Sequence, residues 1–270
     1  MIQIFDILNP LRADARPVPC CASRPLLDLY PADSAHSLRL ISSTYAGNCI
    51  RVRRASDNQE QDIGFSVGIV DVAAIAAFCG ASIGYIVTWY DQSGNGNDWT
   101  QTTAASQARI YDGASIDTIN GKPAANYTFR ESFPMAGFDG NERMDHYKVF
   151  STTDDTYRIE FGQSTAYTSP FAQDGNNGTV IDADYGSPSY YLNGSLQSWG
   201  TNNEVHDALS TGNQALLTTI NCNTSTWTTS NLGGATGSFF VGYFQELIQY
   251  NSESNQAAIE AEVTSYYGIS

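Results

Sequence analysis

The sequence predicts an all-β protein, a two-sheet sandwich carrying one short helix near residues 72–78 and another at its C-terminus. Three observations lead there. Short apolar and β-branched runs recur about every 10 residues between Gly, Asn and Asp turns, which is the rhythm of a sandwich. One such run, Tyr85 to Tyr90, breaks off in Asp91-Gln-Ser-Gly-Asn-Gly-Asn97, where closely spaced glycines call for positive φ. Only 15% of residues are charged, well under the usual quarter, so the surface must be made of Ser, Thr, Asn, Gln, Gly and Tyr. At 270 residues the chain suits one large β domain of about 200–250 residues with short extensions.

Residues 1–25 hold Pro10, Pro17, Pro19 and Pro25 among small and charged residues and read as an extended arm. The sandwich then runs from 26 to 270. Ala35 to Ile41 is apolar enough to pack, and Cys49 to Arg54 alternates apolar and basic residues as a half-exposed strand does. Asp71 caps the alanine-rich run Val72 to Phe78, and Gly80 stops it. Strands are expected at Ile83–Tyr90, Ala108–Tyr111, Ala124–Phe129, Tyr147–Phe150, Tyr157–Phe161, Thr179–Ile181, Tyr190–Leu192, Ala215–Ile220 and Ser238–Tyr250. Asn193-Gly194 predicts a type I′ hairpin turn. Ser252 to Tyr267 has helical period, with Ile259, Val263 and Tyr266 on one face, Ser252 or Ser254 as cap and Gly268 as stop.

Net charge is -15, yet all 13 basic residues lie at or before Arg158. A phosphate backbone or an anionic membrane needs a basic surface, so nucleic-acid binding and membrane insertion are not expected. The cysteines, Cys20, Cys21, Cys49, Cys79 and Cys222, have no CxxC spacing, which argues against structural zinc. The run after Met1 has no basic n-region and Asp6 interrupts it, so no signal peptide is read there.

Three segments together resemble the catalytic-domain family of α-L-arabinofuranosidase B and related concanavalin A-like modules of phage virion proteins. They are Leu27-Asp-Leu-Tyr30 with Ala35-His-Ser-Leu-Arg39, Ser42 to Gly47 and Ile50 to Arg54; Ala77 to Cys79 with Trp89 through Asn97 and Thr100-Gln101; and Gly233-Gly234 through Glu246 with the closing helix. The resemblance implies a concanavalin A-like jelly-roll. It also implies retaining hydrolysis of arabinofuranosides by a glutamate nucleophile and an aspartate acid/base, two carboxyls about 5 Å apart. Here the nucleophile position reads Gly186, unless Asp182 or Asp184 substitutes in a shifted register, and the family's Gly-Gly-Asp reads Gly233-Gly234-Ala235. The disulfide that the resemblance implies at the short helix keeps Cys79 but meets Gly84 at the partner position. The family's C-terminal arabinose-binding module has no counterpart before Ser270.

These departures lead to the expectation of a non-catalytic sandwich on a bacteriophage particle, in a tail fibre, receptor-binding protein or capsid decoration. Its arm would dock on other virion proteins, its face would meet a host glycan or protein, and it would form a homo-oligomer. The alternatives are a divergent arabinofuranosidase-like hydrolase using Asp182 or Asp184 with Asp174 or Glu246, a secreted free carbohydrate-binding module, or both. Trp89, Trp99, Tyr185, Tyr190, Tyr191 and Trp199 are candidates for stacking on a sugar ring, set against packing between the sheets. Asp91, Asn95 and Asn97 offer oxygens to calcium, though a tight turn needs the same residues. His36, His146 and His206 stand apart in sequence and suggest no metal or triad.

Overall fold

The computed structural model describes residues 24–128, 133–136, 143–153, 158–159, 161–163, 172–173, 186–225, 229–232, 234–235, 238–252 and 254–270. Most of the arm, the run at Thr179–Ile181, and Asp174, Asp182, Asp184 and Tyr185 lie outside these residues.

A twelve-stranded sheet dominates. It runs from Ser195–Gln197 through Ser189–Leu192, Ala215–Cys222, Met144–Ser151, Gly242–Tyr250, Ala125–Tyr127, Arg109–Tyr111, Gly84–Trp89 and Ile50–Arg54 to Glu60–Ile63. Trp99–Thr100 pairs with Gly84–Trp89, and Ser34–Ser37 shares one edge of Gly242–Tyr250 with Ala125–Tyr127. Val52, Ile63 and Ile86 from one half meet Phe150, Leu217 and Leu247 from the other in a single core cluster. The sheet therefore doubles over into two layers, as the predicted sandwich requires.

The strands Met144–Ser151, Ala215–Cys222 and Gly242–Tyr250 are buried on both faces. Their inward residues enter the main core, while Tyr147, Val149, Leu216 and Ile248 form a second cluster beneath the C-terminal helix with Ile259, Val263, Tyr267, Leu26 and Leu27. Alternation explains this, because successive strand residues point to opposite faces. It also explains why these runs read as continuously apolar. A bulge breaks the alternation once: Val149 pairs with Glu246 but Phe150 with Phe244, so Gln245 is the extra residue.

The short helix is Val72–Cys79, with the Asp71 side chain accepting from the Ala74 amide at 2.9 Å. The closing helix is Gln256–Tyr267, shorter at its start than its periodicity suggests. Neither Ser252 nor Ser254 caps it; Ser254 instead donates from its amide and hydroxyl to Asp145, at 3.0 and 2.7 Å. Its buried face ends in Tyr267 in place of Tyr266, and Gly268 terminates it at φ 68°. The Asn193-Gly194 turn has both φ values positive, 52° and 81°, as a type I′ hairpin demands. The helix Asn202–Leu209 was not foreseen. Its signal is a Thr-x-x-Glu capping box: Glu204 accepts from the Thr201 amide at 2.9 Å, and the Thr201 hydroxyl accepts from the Glu204 amide at 3.4 Å.

Arg39 ties the helix to the sheet. Its guanidinium donates to both carboxylate oxygens of Glu246, at 2.8 and 3.0 Å, and to both of Glu262, at 2.7 and 2.8 Å. Ser37 and Tyr267 donate their hydroxyls to the same Glu246 oxygen at 2.6 and 3.2 Å, and the Tyr266 ring lies 4.2 Å from the guanidinium carbon. Burial opposes the charge on Arg39, and the two carboxylates more than offset it, raising its pKa.

Two outcomes are expected. Glu246→Gln leaves a buried cation short of its partner and lowers the unfolding free energy by about 3–5 kcal/mol, read from the urea midpoint; a loss under about 1 kcal/mol would show the pair to be dispensable. A Cβ built on Gly84 lies 2.8 Å from Cys79 Sγ, close enough for an S–S bond of about 2.05 Å. Oxidised Gly84→Cys should lose two titratable thiols and gain up to about 2 kcal/mol, provided Tyr111 and Val52, 3.2 Å from that Cβ, yield slightly.

Candidate functional site

The loop after Trp89 is held by one carboxylate. Asp91 Oδ1 accepts from the Ala35 and Ser93 amides at 2.8 and 2.9 Å, and Oδ2 from the Asn97 amide and the Ser93 hydroxyl at 3.0 and 2.6 Å. Asn95 and Asn97 turn their amide nitrogens to the Asp33 carbonyl, at 3.0 and 2.9 Å. Gly94 and Gly96 take φ of 87° and 78°. Both Asp91 oxygens are thus taken up by backbone amides and the Ser93 hydroxyl, and both Asn side chains are tied back to Asp33, which is the geometry of a turn. Among the described residues no group of three or more His, Cys, Asp or Glu side chains could hold a metal ion.

The aromatic candidates divide. Trp89 and Trp99 are fully buried, and Trp99 Nε1 donates to His36 Nδ1 at 3.0 Å. Neither can stack on a sugar; both are core, because each inward side chain of Gly84–Trp89 and its partner strand faces the opposite layer. Tyr190 is also core, packed at 6.1 Å from the half-buried Trp199 ring. Tyr191 is half-buried on the other face of its strand, opposite Thr218. These residues do not converge on one platform.

What does converge is a polar row across the inside of the sheet. Tyr190 pairs with Thr219, Thr219 with His146, His146 with Gln249, and Gln249 with Ser34, so the five side chains share one face on adjacent strands. All five are buried, and Lys148 joins them one step along the strand, fully buried. Among the described residues neither end of the Gln249 amide nor the Thr219 hydroxyl has a hydrogen-bond partner, and each such group costs about 1–3 kcal/mol. Sequence reading missed this row because it is distant in the chain; only strand register assembles it.

The two positions at which the resemblance implies carboxylates lie at Gly186 and Ala235. Leu232 and Phe240 are buried in the main core and bracket the small hairpin of Gly234–Ala235 with Ser238–Phe239. Gly186, at φ 79°, lies where an added Cβ would stand 3.1 Å from the Asn223 Cβ. No side chain fits there without strain. Glu246 is removed from consideration, since it and Glu262 converge only on Arg39. His146 cannot serve as a base at neutral pH: burial, then the nearby Lys148 ammonium, push it down to about 3. Burial likewise pushes the Cys222 thiol up to about 12.

A large antiparallel sheet doubled over around one core, with a helix closing its outer face, defines a β-sandwich. Residues 28–265 match the family model described as Alpha-L-arabinofuranosidase B, catalytic. The chain belongs to that glycoside hydrolase family. It is 33% identical over 178 residues to α-L-arabinofuranosidase B of Emericella nidulans, covering 58% of this chain and 34% of that protein. With the α-L-arabinofuranosidase of Hypocrea jecorina it shares 28% identity over 265 residues, covering 85% and 52%. The chain thus spans about half, or less, of these relatives. Similar solved structures include a mutant GH54 α-L-arabinofuranosidase soaked with 4-nitrophenyl α-L-arabinofuranoside, at TM-score 0.57 and 18% identity over 89% of this chain and 63% of that one. Another is an arabinofuranosidase complexed with arabinofuranosyl-α-1,2-xylobiose, at TM-score 0.56 and 19% identity with the same coverage. At that identity the likeness shows the fold. The expectation of a phage structural or adhesion protein is overturned, because the matching relatives and structures are arabinofuranosidases.

Both buried histidines link stability to pH. His36 is pushed down to about 4, mainly by burial, with Asp91 and the Asn97 carbonyl opposing; its Nε2 lies 2.9 Å from that carbonyl. Each folded pKa is below the unfolded value of about 6.5, so the unfolded chain takes up the protons first. The stabilisation is present above about pH 6.5 and declines as pH falls. Urea midpoints at pH 6.5, 6.0 and 5.0 should report about 1.4 kcal/mol lost per pH unit for each histidine, and a flat profile would refute it.

Proposed function

We propose that the chain is an arabinofuranosidase-like glycoside hydrolase domain that attacks α-L-arabinofuranosyl groups with a carboxylate of the Asp182-Ala-Asp184 stretch. The observation that carries this reading is the family match across 28–265, which spans the whole sandwich. Gly186 supports the shifted register: its positive φ and the 3.1 Å approach to Asn223 belong to a backbone that would reject a glutamate. The carboxylate then falls to Asp182 or Asp184, a few residues before that turn. In a retaining reaction it would attack the anomeric carbon and displace the leaving group, and water would then release the sugar from the enzyme.

The acid half is where this chain departs. Ala235 occupies the rim position that the resemblance assigns to the proton donor. A good leaving group such as nitrophenolate departs without protonation, whereas a sugar alkoxide does not. Activity is therefore expected first on aryl arabinofuranosides. The same observation favours a second reading, in which the domain binds arabinosides without cleaving them.

A steady-state assay with 4-nitrophenyl α-L-arabinofuranoside discriminates them. The chain should release nitrophenolate, and either Asp182→Asn or Asp184→Asn should reduce kcat/KM by at least about 10³-fold, the scale of losing a unit of covalent machinery. Ala235→Asp should raise turnover of alkyl arabinosides by about 10²-fold, as a positioned general acid contributes. No turnover by the parent chain, with the arabinoside still bound, would sink hydrolysis and leave the binding reading.

A further inference from the structure

A trough with no charged side chain among the described residues that line it crosses the sandwich where the strand Met144–Ser151 ends. It consists of two abutting cavities of about 490 and 400 Å³, which share Ile119, Asn120 and Gly212. Clefts of about 300–1,000 Å³ are the size range of small-molecule sites. In a chain of net charge -15, the described lining residues include no Asp, Glu, Lys, Arg or His. They offer Thr and Ser hydroxyls, Asn and Gln amides, and the half-exposed ring of Tyr243.

The trough is built from inside. Asn120 sits at a turn with φ 48° and donates its amide nitrogen to Gln214 Oε1 at 2.8 Å. The Gln214 amide donates in turn to Gln245 Oε1, and the Gln245 amide to the carbonyls of Lys122 and Pro123 at 3.2 and 3.0 Å. Gln214 is 7% exposed and Gln245 1%. This one-way relay fixes which end of the Asn120 amide faces the protein and leaves its oxygen as an acceptor. The walls are pinned as well: Ser151 donates its hydroxyl to the Gly212 carbonyl at 2.8 Å, and Thr152 to the Val241 carbonyl at 2.6 Å. Gly242 between them has no room for a Cβ.

Oriented neutral donors and acceptors beside an aromatic ring match a polyol that alternates hydroxyls with C–H faces. We propose that this trough binds an uncharged polysaccharide chain and holds the domain on its substrate. The inference rests on the reading of the domain as acting on carbohydrate, and it does not require that the domain cleave anything.

Affinity electrophoresis of the full chain in gels containing soluble neutral arabinoxylan tests it, with anionic polygalacturonate as the control. The chain should be retarded by arabinoxylan alone, and Asp184→Asn should be retarded equally. Asn120→Gly, which keeps the positive φ, and Tyr243→Ala should each weaken retardation at least fivefold at unchanged melting temperature. If Tyr243→Ala unfolds, Asn120→Gly at its exposed turn carries the comparison alone. Absence of retardation, equal retardation by polygalacturonate, or retardation lost in Asp184→Asn but kept in Asn120→Gly would overturn the proposal. Retardation that persists in a chain without hydrolytic activity would defeat the hydrolase reading and leave this one standing.

Discussion

Arg39 is the constraint on which the rest of the architecture depends. Its four charge-assisted contacts reach a strand at Glu246 and the closing helix at Glu262, and its own position follows directly from the strand Ser34–Ser37. A guanidinium this deep would cost several kcal/mol unless every donor met an oxygen. The two carboxylates supply those oxygens and the Tyr266 ring covers the guanidinium face, while the Ser37 and Tyr267 hydroxyls donate to Glu246 and steady its charge. Because Glu246 neighbours the bulge at Gln245, the same network fixes the register shift that turns both Phe244 and Leu247 inward. The two cores, one between the layers and one under the helix, are therefore aligned by a single ion cluster.

That alignment explains the distribution of polarity. Strands buried on both faces have no solvent side on which to place unavoidable polar residues, so these residues gather in rows. One row, from Tyr190 to Ser34, lies inside the sandwich; the Arg39 cluster lies outside, below the helix. The inner row destabilises the fold wherever its groups lack partners, and structures tolerate such costs mainly where polar groups serve a site.

Much of this was legible in the sequence. The Asp71 cap, the Gly80 and Gly268 stops and the Asn193-Gly194 turn are local chemistry, and local chemistry can be read along the chain. Many of the strand positions also emerged, but Phe133–Ala136, Ser195–Gln197, Thr229–Leu232 and Glu60–Ile63 did not; the run Glu-Gln-Asp-Ile of the last is mostly exposed and carries no apolar alternation. The roles of Trp89 and Trp99 could not be read, because an aromatic at a strand end looks the same whether it faces solvent or the opposite layer. Register decides that, and register depends on pairings such as Trp89 with Trp99. The Asp91 loop shows the complementary case: its residue types announced a turn, yet which oxygens were consumed by which amides depended on Ala35 and Asp33, far upstream.

The rim shows how chemistry and fold can separate within one family. Leu232 and Phe240, both fully buried, flank the hairpin that carries Ala235 and tie it to the core. Gly186 is different, because its positive φ and its contact with Asn223 make the backbone itself incompatible with a branched or long side chain. A nucleophile at that point would require the turn to be rebuilt, whereas a donor at 235 requires one side chain.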